Sequence, residues 1–149
     1  MLSAARTLAA RTRAAAAKFL ATGAAQAAGV RALNTPTLTG AIWSPCPEPP
    51  AVATLGLVDL PGVLNCPLPE GRRPLVVISH GRGGLFASHH DTAAALADAG
   101  FIVAAIDHSG DNARDLRRTD SVSVMVERPA AIMRLIDVML AFPYILLAL

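Results

Sequence analysis

Between Pro74 and Asp111 the chain reads PLVVISHGRGGLFASHHDTAAALADAGFIVAAIDHSGD, a strand, a glycine-rich turn, a helix and a second strand. Leu75-Val76-Val77-Ile78 is a short, unbroken apolar run rich in β-branched residues, as suits a strand buried on both faces. Phe101 to Ile106 is a second such run. Between them Asp91 or Thr92 is the expected N-cap of a helix over Ala93 to Ala99, and Gly100 is its expected stop. Two buried strands joined by a helix need a crossover, so this stretch predicts one right-handed βαβ unit of a parallel sheet.

Flanking segments are weaker. Thr37 to Trp43 alternates loosely and predicts an edge strand, Pro45 to Pro50 is a proline-dense connector, and Ala53 to Leu60 reads as a short strand or a loop. Asp59-Leu60-Pro61-Gly62 is a turn signal. Antiparallel edge strands leading into the parallel sheet are expected here. After the polar loop ARDLRRTDS, Glu127-Arg128-Pro129 opens a helix, proline suiting its first turn. Ile132, Leu135, Ile136, Met139 and Leu140 form its apolar stripe, with Arg134 and Asp137 opposite. Val138 to Leu149 is apolar throughout, but its twelve residues fall short of a bilayer span, and Pro143 interrupts it. The expectation is a chain cut or shifted in frame near Phe142. Its sheet would end in an open edge and an apolar tail prone to self-association.

A length of 149 residues, 53% of them hydrophobic, suffices for one domain with a core. The net charge of +2 divides unevenly: residues 1–30 hold Arg6, Arg11, Arg13 and Lys18 with no acid, while nine arginines against eleven Asp and Glu leave −2 for the rest. A basic face for nucleic acid is therefore not expected. The leader ends in Ala25-Gln26-Ala27, an A-x-A site, so residues 1–27 read as a targeting peptide and 28–149 as the domain. Export to the periplasm or outside is favoured; an organellar presequence is the alternative. Cys46 and Cys66 fall in Pro/Gly-rich segments that read as loops. They are either free thiols or a bridge closing a loop of about twenty residues, worth roughly 3 kcal/mol.

The chemistry-bearing stretch is Ser79-His80-Gly81-Arg82-Gly83-Gly84, at the C-terminal end of a buried strand, where ligands collect in open α/β sheets. Glycines there let backbone N–H groups approach a substrate. Three readings are open: an oxyanion-hole loop, a phosphate cradle, and a glycine turn with no site. The G-x-x-x-x-G-K-[ST] pattern is absent, and Gly81 to Phe86 misses G-x-G-x-x-G. His89-His90-Asp91 could hold a metal, but adjacent histidines on a helix point apart, so capping and surface roles are favoured and no metal is expected. Asp107 and His108 end the second strand on the same rim and read as site-lining or loop-fixing. Ser79 and Ser109 have no identified base.

The segment RRPLVVISHGRGGLFASHHDTAAALADAGFIVAAIDHSGDN resembles the N-terminal half of an α/β-hydrolase of the dienelactone-hydrolase-like group, and is similar to the matching part of platelet-activating-factor acetylhydrolases. The shared features are P-L-V-V-x-S-H-G-x-G, a helix closing on A-x-x-G, and F-I-V-A-A-x-x-H. A looser likeness runs over residues 30–141. The resemblance implies an α/β fold, a three-layer sandwich with a mostly parallel sheet, here incomplete and truncated before the nucleophile strand. It implies a serine hydrolase acting on small ester-like substrates, carboxylic esters or lactones, with no cofactor. Arg82 would be the main-chain oxyanion donor, with Gly81 and Gly83 shaping the loop, and His80 would order it. The chain has no G-x-S-x-G, so nucleophile, acid and base are expected beyond Leu149. A non-catalytic α/β fragment, whether a pseudogene product or a binding and assembly module, is the alternative.

Overall fold

The computed structural model describes residues 27–141 and the backbone of 145–146. Residues 1–26 of the expected 1–27 targeting peptide and half of the apolar tail, residues 142–144 and 147–149, lie outside the described residues. At the centre is β7 (Ile102–Ile106), whose five residues are all buried. Val103 and Ala105 enter one core cluster, Ile102, Ala104 and Ile106 the other. An unbroken apolar strand is what a sheet covered on both faces requires.

On one side β7 pairs in parallel with β6 (Arg73–Ser79), on the other antiparallel with β2 (Thr39–Cys46). β1 (Ala27–Asn34) runs antiparallel to β2 along its whole length, and the two-residue β5 (Val63–Leu64) lies parallel to β1. Beyond β6 comes β8 (Ile145–Leu146), paired in parallel with Arg73 and Pro74. The order β5-β1-β2-β7-β6-β8 is therefore a mixed sheet, with three parallel pairings and two antiparallel ones. The expected edge strand is an interior one: β2 is sandwiched between β1 and β7, with Ala41 and Trp43 buried on one face and Ile42 on the other.

The connection from β6 to β7 passes through a 3-10 turn (Phe86–His89) and α1 (His90–Asp98). The helix starts at His90, ahead of the expected caps, because the 3-10 turn feeds straight into it; Asp91 instead accepts the Thr92 N–H at 2.7 Å within the first turn. Buried Ala93 and Ala97, one helical turn apart, face the sheet. Gly100, at φ +100, ends the helix: its N–H donates to the Ala97 carbonyl and that of Phe101 to Leu96, the paired bonds of a Schellman cap. The ribbon β3 (Val52–Leu55) and β4 (Val58–Pro61) shares this face, contributing Ala53 and Leu60 to the α1-side core.

α2 (Val124–Leu140) covers the opposite face through Leu135 and Met139. It begins before the expected Glu127, the Val126 and Glu127 N–H groups both bonding the Ser123 carbonyl, so Pro129 lies inside the helix rather than in its first turn. Of the predicted stripe only Leu135 and Met139 are fully buried; Leu140 is exposed. Cys46, last residue of β2 and not in a loop, forms a disulfide with Cys66, beyond β5. The bridge crosses β1 at Gly29, where a Cβ would stand 2.7 Å from that of Cys66. No helix among the described residues is long and apolar enough to cross a membrane.

Candidate functional site

The C-terminal ends of β6 and β7 bring two loops side by side. From β6 come Ser79, His80 and the turn Gly81 to Gly84, closed by a Gly84 N–H bond to the Gly81 carbonyl at 3.1 Å. Gly83 at φ +63 occupies the third position of that turn and Arg82, with negative φ, the second, the signature of a type II turn. From β7 come Asp107, His108, Ser109 and Asp111. Asp107 accepts the Phe86 N–H at 2.6 Å and meets Arg114 at 3.6 Å, so it braces the start of the 3-10 turn.

His80 spends both ring nitrogens on backbone. Nδ1–H donates to the Gly81 carbonyl at 2.7 Å, and Nε2 accepts the His108 N–H at 3.2 Å. That tautomer is neutral, and it ties the glycine turn to the β7 loop. Its ring stands 4.8 Å from that of His108, tilted by 56°. His108 is buried, and its Nε2 lies 2.8 Å from Ser79 Oγ. Burial, aided by the charge of Arg128 and by His80, pushes the His108 pKa down to about 4, against an opposing pull from Asp111. Nδ1 of this ring is buried with no hydrogen-bond partner among the described residues. Ser79 thus has the imidazole partner that the sequence did not reveal; Ser109 is exposed and lines a cleft beside it.

Two residues absent from the sequence-based site hold it together. Arg128 on α2 donates to Ser79 Oγ at 3.4 Å, to the His80 carbonyl, and to Asp111 Oδ2 at 3.3 Å. Asp111, almost fully buried, accepts the Gly83 N–H at 3.0 Å through its other oxygen. A buried carboxylate paired with Arg and with a backbone amide has the partners that burial of a charge demands. The exposed side chain of Arg82 pairs with Asp120, also at the surface. Among the described residues the Gly81 and Arg82 N–H groups have no acceptor, and both residues are exposed. The only signal for the Arg128–Asp111 pair was an acid just past a buried strand and an arginine beside a proline, seventeen residues apart.

A cleft of about 560 Å³ opens next to this rim, between the Thr35–Thr39 segment and α2, lined by His108, Arg128 and Arg134 among others; it does not include the glycine turn. His89, His90 and Asp91 do not gather: His90 Nδ1–H donates to the Ala87 carbonyl at 3.1 Å while Asp91 bonds Thr92. No cluster of three His, Cys, Asp or Glu side chains able to hold a metal occurs among the described residues.

A family model described as platelet-activating factor acetylhydrolase, isoform II, matches residues 51–131, more than half of the chain. The matched span begins at the β3–β4 ribbon, includes both rim loops with Ser79, His80, His108 and Asp111, and runs past Arg128 into α2. No curated protein matches the chain.

Proposed function

Because this chain belongs to the platelet-activating factor acetylhydrolase, isoform II, family, we propose that it carries the oxyanion side of a serine-type α/β-hydrolase acting on small carboxylic esters or lactones. The observation behind the reading is how the glycine turn distributes its amides: Gly83 N–H is taken by Asp111, while the N–H groups of Gly81 and Arg82 are left without an acceptor among the described residues. Donors held this way before substrate arrives stabilise the oxygen that gains charge in acyl transfer, and loss of one typically costs about 10²–10³ in rate. Arg82 is the main-chain donor of this reading. Gly81 and Gly83 shape the turn, and His80, Asp107 and His108 brace it.

In enzymes of this plan the nucleophile follows the next strand, on a G-x-S-x-G elbow, with an acid and a histidine later in the chain. No such elbow occurs in the 149 residues. In this proposal the nucleophile elbow is not among these 149 residues, which by themselves do not turn over ester. The missing elbow equally favours a second reading, a non-catalytic α/β module that keeps the family's framework for binding or assembly. The Cys46–Cys66 disulfide supports an oxidising compartment, in keeping with export of the chain.

Sequencing the coding DNA from the Ala130 codon past Leu149, with expression of any frame that continues the sheet, decides between the two. A frame that encodes G-x-S-x-G followed by an acid and a histidine, and that hydrolyses a short-chain aryl ester, is expected. Absence of any such frame would leave the non-catalytic module.

A further inference from the structure

Ser79 is the last residue of β6 and its side chain is exposed, yet its hydroxyl faces a buried base. Arg128 Nη2 donates to Oγ at 3.4 Å, which leaves the hydroxyl proton for His108 Nε2 at 2.8 Å. The same Arg128 places a positive charge where a serine alkoxide would form. Immediately after Ser79 and His80 in the chain come the two amides without acceptors, those of Gly81 and Arg82. A hydroxyl, a neutral imidazole within hydrogen-bond reach, a cation at the oxygen and unused amide donors are the parts of a nucleophilic site.

We propose that Ser79 is a covalent acyl acceptor, activated by His108 and steadied by Arg128, that takes the acyl group from activated esters. Ser79 Oγ forms a bond to the acyl carbon and its proton passes to His108 Nε2. The ester C–O bond breaks, and the leaving oxygen takes the proton back from His108. His108 Nδ1 has no orienting partner among the described residues, so the imidazolium lacks the carboxylate that completes a triad. Water is therefore activated poorly for the second half of the reaction, and the acyl group stays. The site is a single-use acceptor, separate from any elbow serine, though it rests on the oxyanion reading of the same turn.

The test is acetylation by p-nitrophenyl acetate, followed by intact mass and peptide mapping, on the purified chain, Ser79→Ala, Arg82→Pro and the urea-unfolded chain. One acetyl group on Ser79 is expected, forming about a hundredfold faster than in the unfolded chain, the lower end for general-base assistance. Ser79→Ala removes the hydroxyl with its bonds to His108 and Arg128 and leaves the apolar core untouched, so it should fold and lose the label. The background is small, because the chain has one lysine, Lys18. Equal labelling in Ser79→Ala, or no advantage over the unfolded chain, would overturn the proposal.

The pH profile identifies the base. The groups facing His108 are His80, Arg128 and Asp111, and with His108 neutral down to about 4 the rate should stay level between pH 5 and 8. A rate that climbs tenfold per pH unit across that range belongs to hydroxide chemistry and removes His108 from the mechanism. Arg82→Pro suits the second position of a type II turn and deletes the N–H together with the exposed side-chain pair to Asp120. Labelling lost in that variant supports both the acceptor and the oxyanion loop. Labelling kept supports the acceptor and removes Arg82 as the donor.

Discussion

At neutral pH His108 is an uncharged ring inside the protein, and that state has a thermodynamic consequence. Its folded pKa of about 4 lies below the ordinary 6.5. Below pH 6.5 the unfolded chain binds a proton that the folded chain refuses until about pH 4, so stability is whole above 6.5 and falls as the pH drops through that window. Between pH 7 and pH 5 the loss from this one residue should be about 2 kcal/mol. Urea unfolding at the two pH values, compared with His108→Gln, measures it; an equal loss in the variant would assign the effect to other groups. None of this was legible from the sequence. His108 reads there as a site-lining or loop-fixing residue at the end of a strand, with no sign of its burial. Its burial depends on His80 and Arg128, which arrive from 28 residues upstream and from a helix beginning sixteen residues downstream.

Elements were more legible than contacts, for a reason visible in each. β7 announces itself because five apolar residues in a row can be satisfied only between two covered faces. α1 ends where Gly100 allows a left-handed residue. β2 misled because a loosely alternating strand can sit at an edge or in the interior, and only pairing to both β1 and β7 decides. Pro129 misled because proline in a first turn is common, whereas here Ser123 starts the helix a turn earlier. The disulfide could not be read from spacing either: it needs β5 to return alongside β1, which brings the Cys46 and Cys66 Cα atoms to 6.1 Å. With a separation of 20 residues, its removal should cost roughly 3 kcal/mol. Chemical denaturation of the Cys46→Ser, Cys66→Ser double variant, against the oxidised parent, gives the number. A loss well under 1 kcal/mol would mean that the β1–β2 hairpin holds this edge without the bridge.

For the molecule as a whole, the α/β framework and the rim with its glycine turn follow the pattern read from Pro74 to Asp111, while one edge of the sheet is only partly paired among the described residues. β8 pairs only with Arg73 and Pro74, so from Leu75 to Ser79 the outer edge of β6 has no partner strand among the described residues. The burial pattern agrees: β7 is buried throughout, whereas in β6 only Leu75 is. α2 adds exposed Met125, Val126, Met133 and Leu140 on the protein's outer surface. An unpaired edge offers backbone donors and acceptors to another strand, and exposed apolar side chains add a desolvation gain to the same encounter. Self-association that rises with concentration is the expected outcome, seen as a mass above that of the 15.4 kDa chain in size-exclusion chromatography with light scattering. Val77→Pro would remove a donor and bend that edge but also damage the pairing to β7, so the cleaner variant is Met125→Lys with Met133→Lys, which leaves the sheet untouched. Weaker association in this variant assigns the contact to α2, and unchanged association assigns it to the β6 edge. A monodisperse, cooperatively melting monomer across the same concentrations would show that neither surface is sticky.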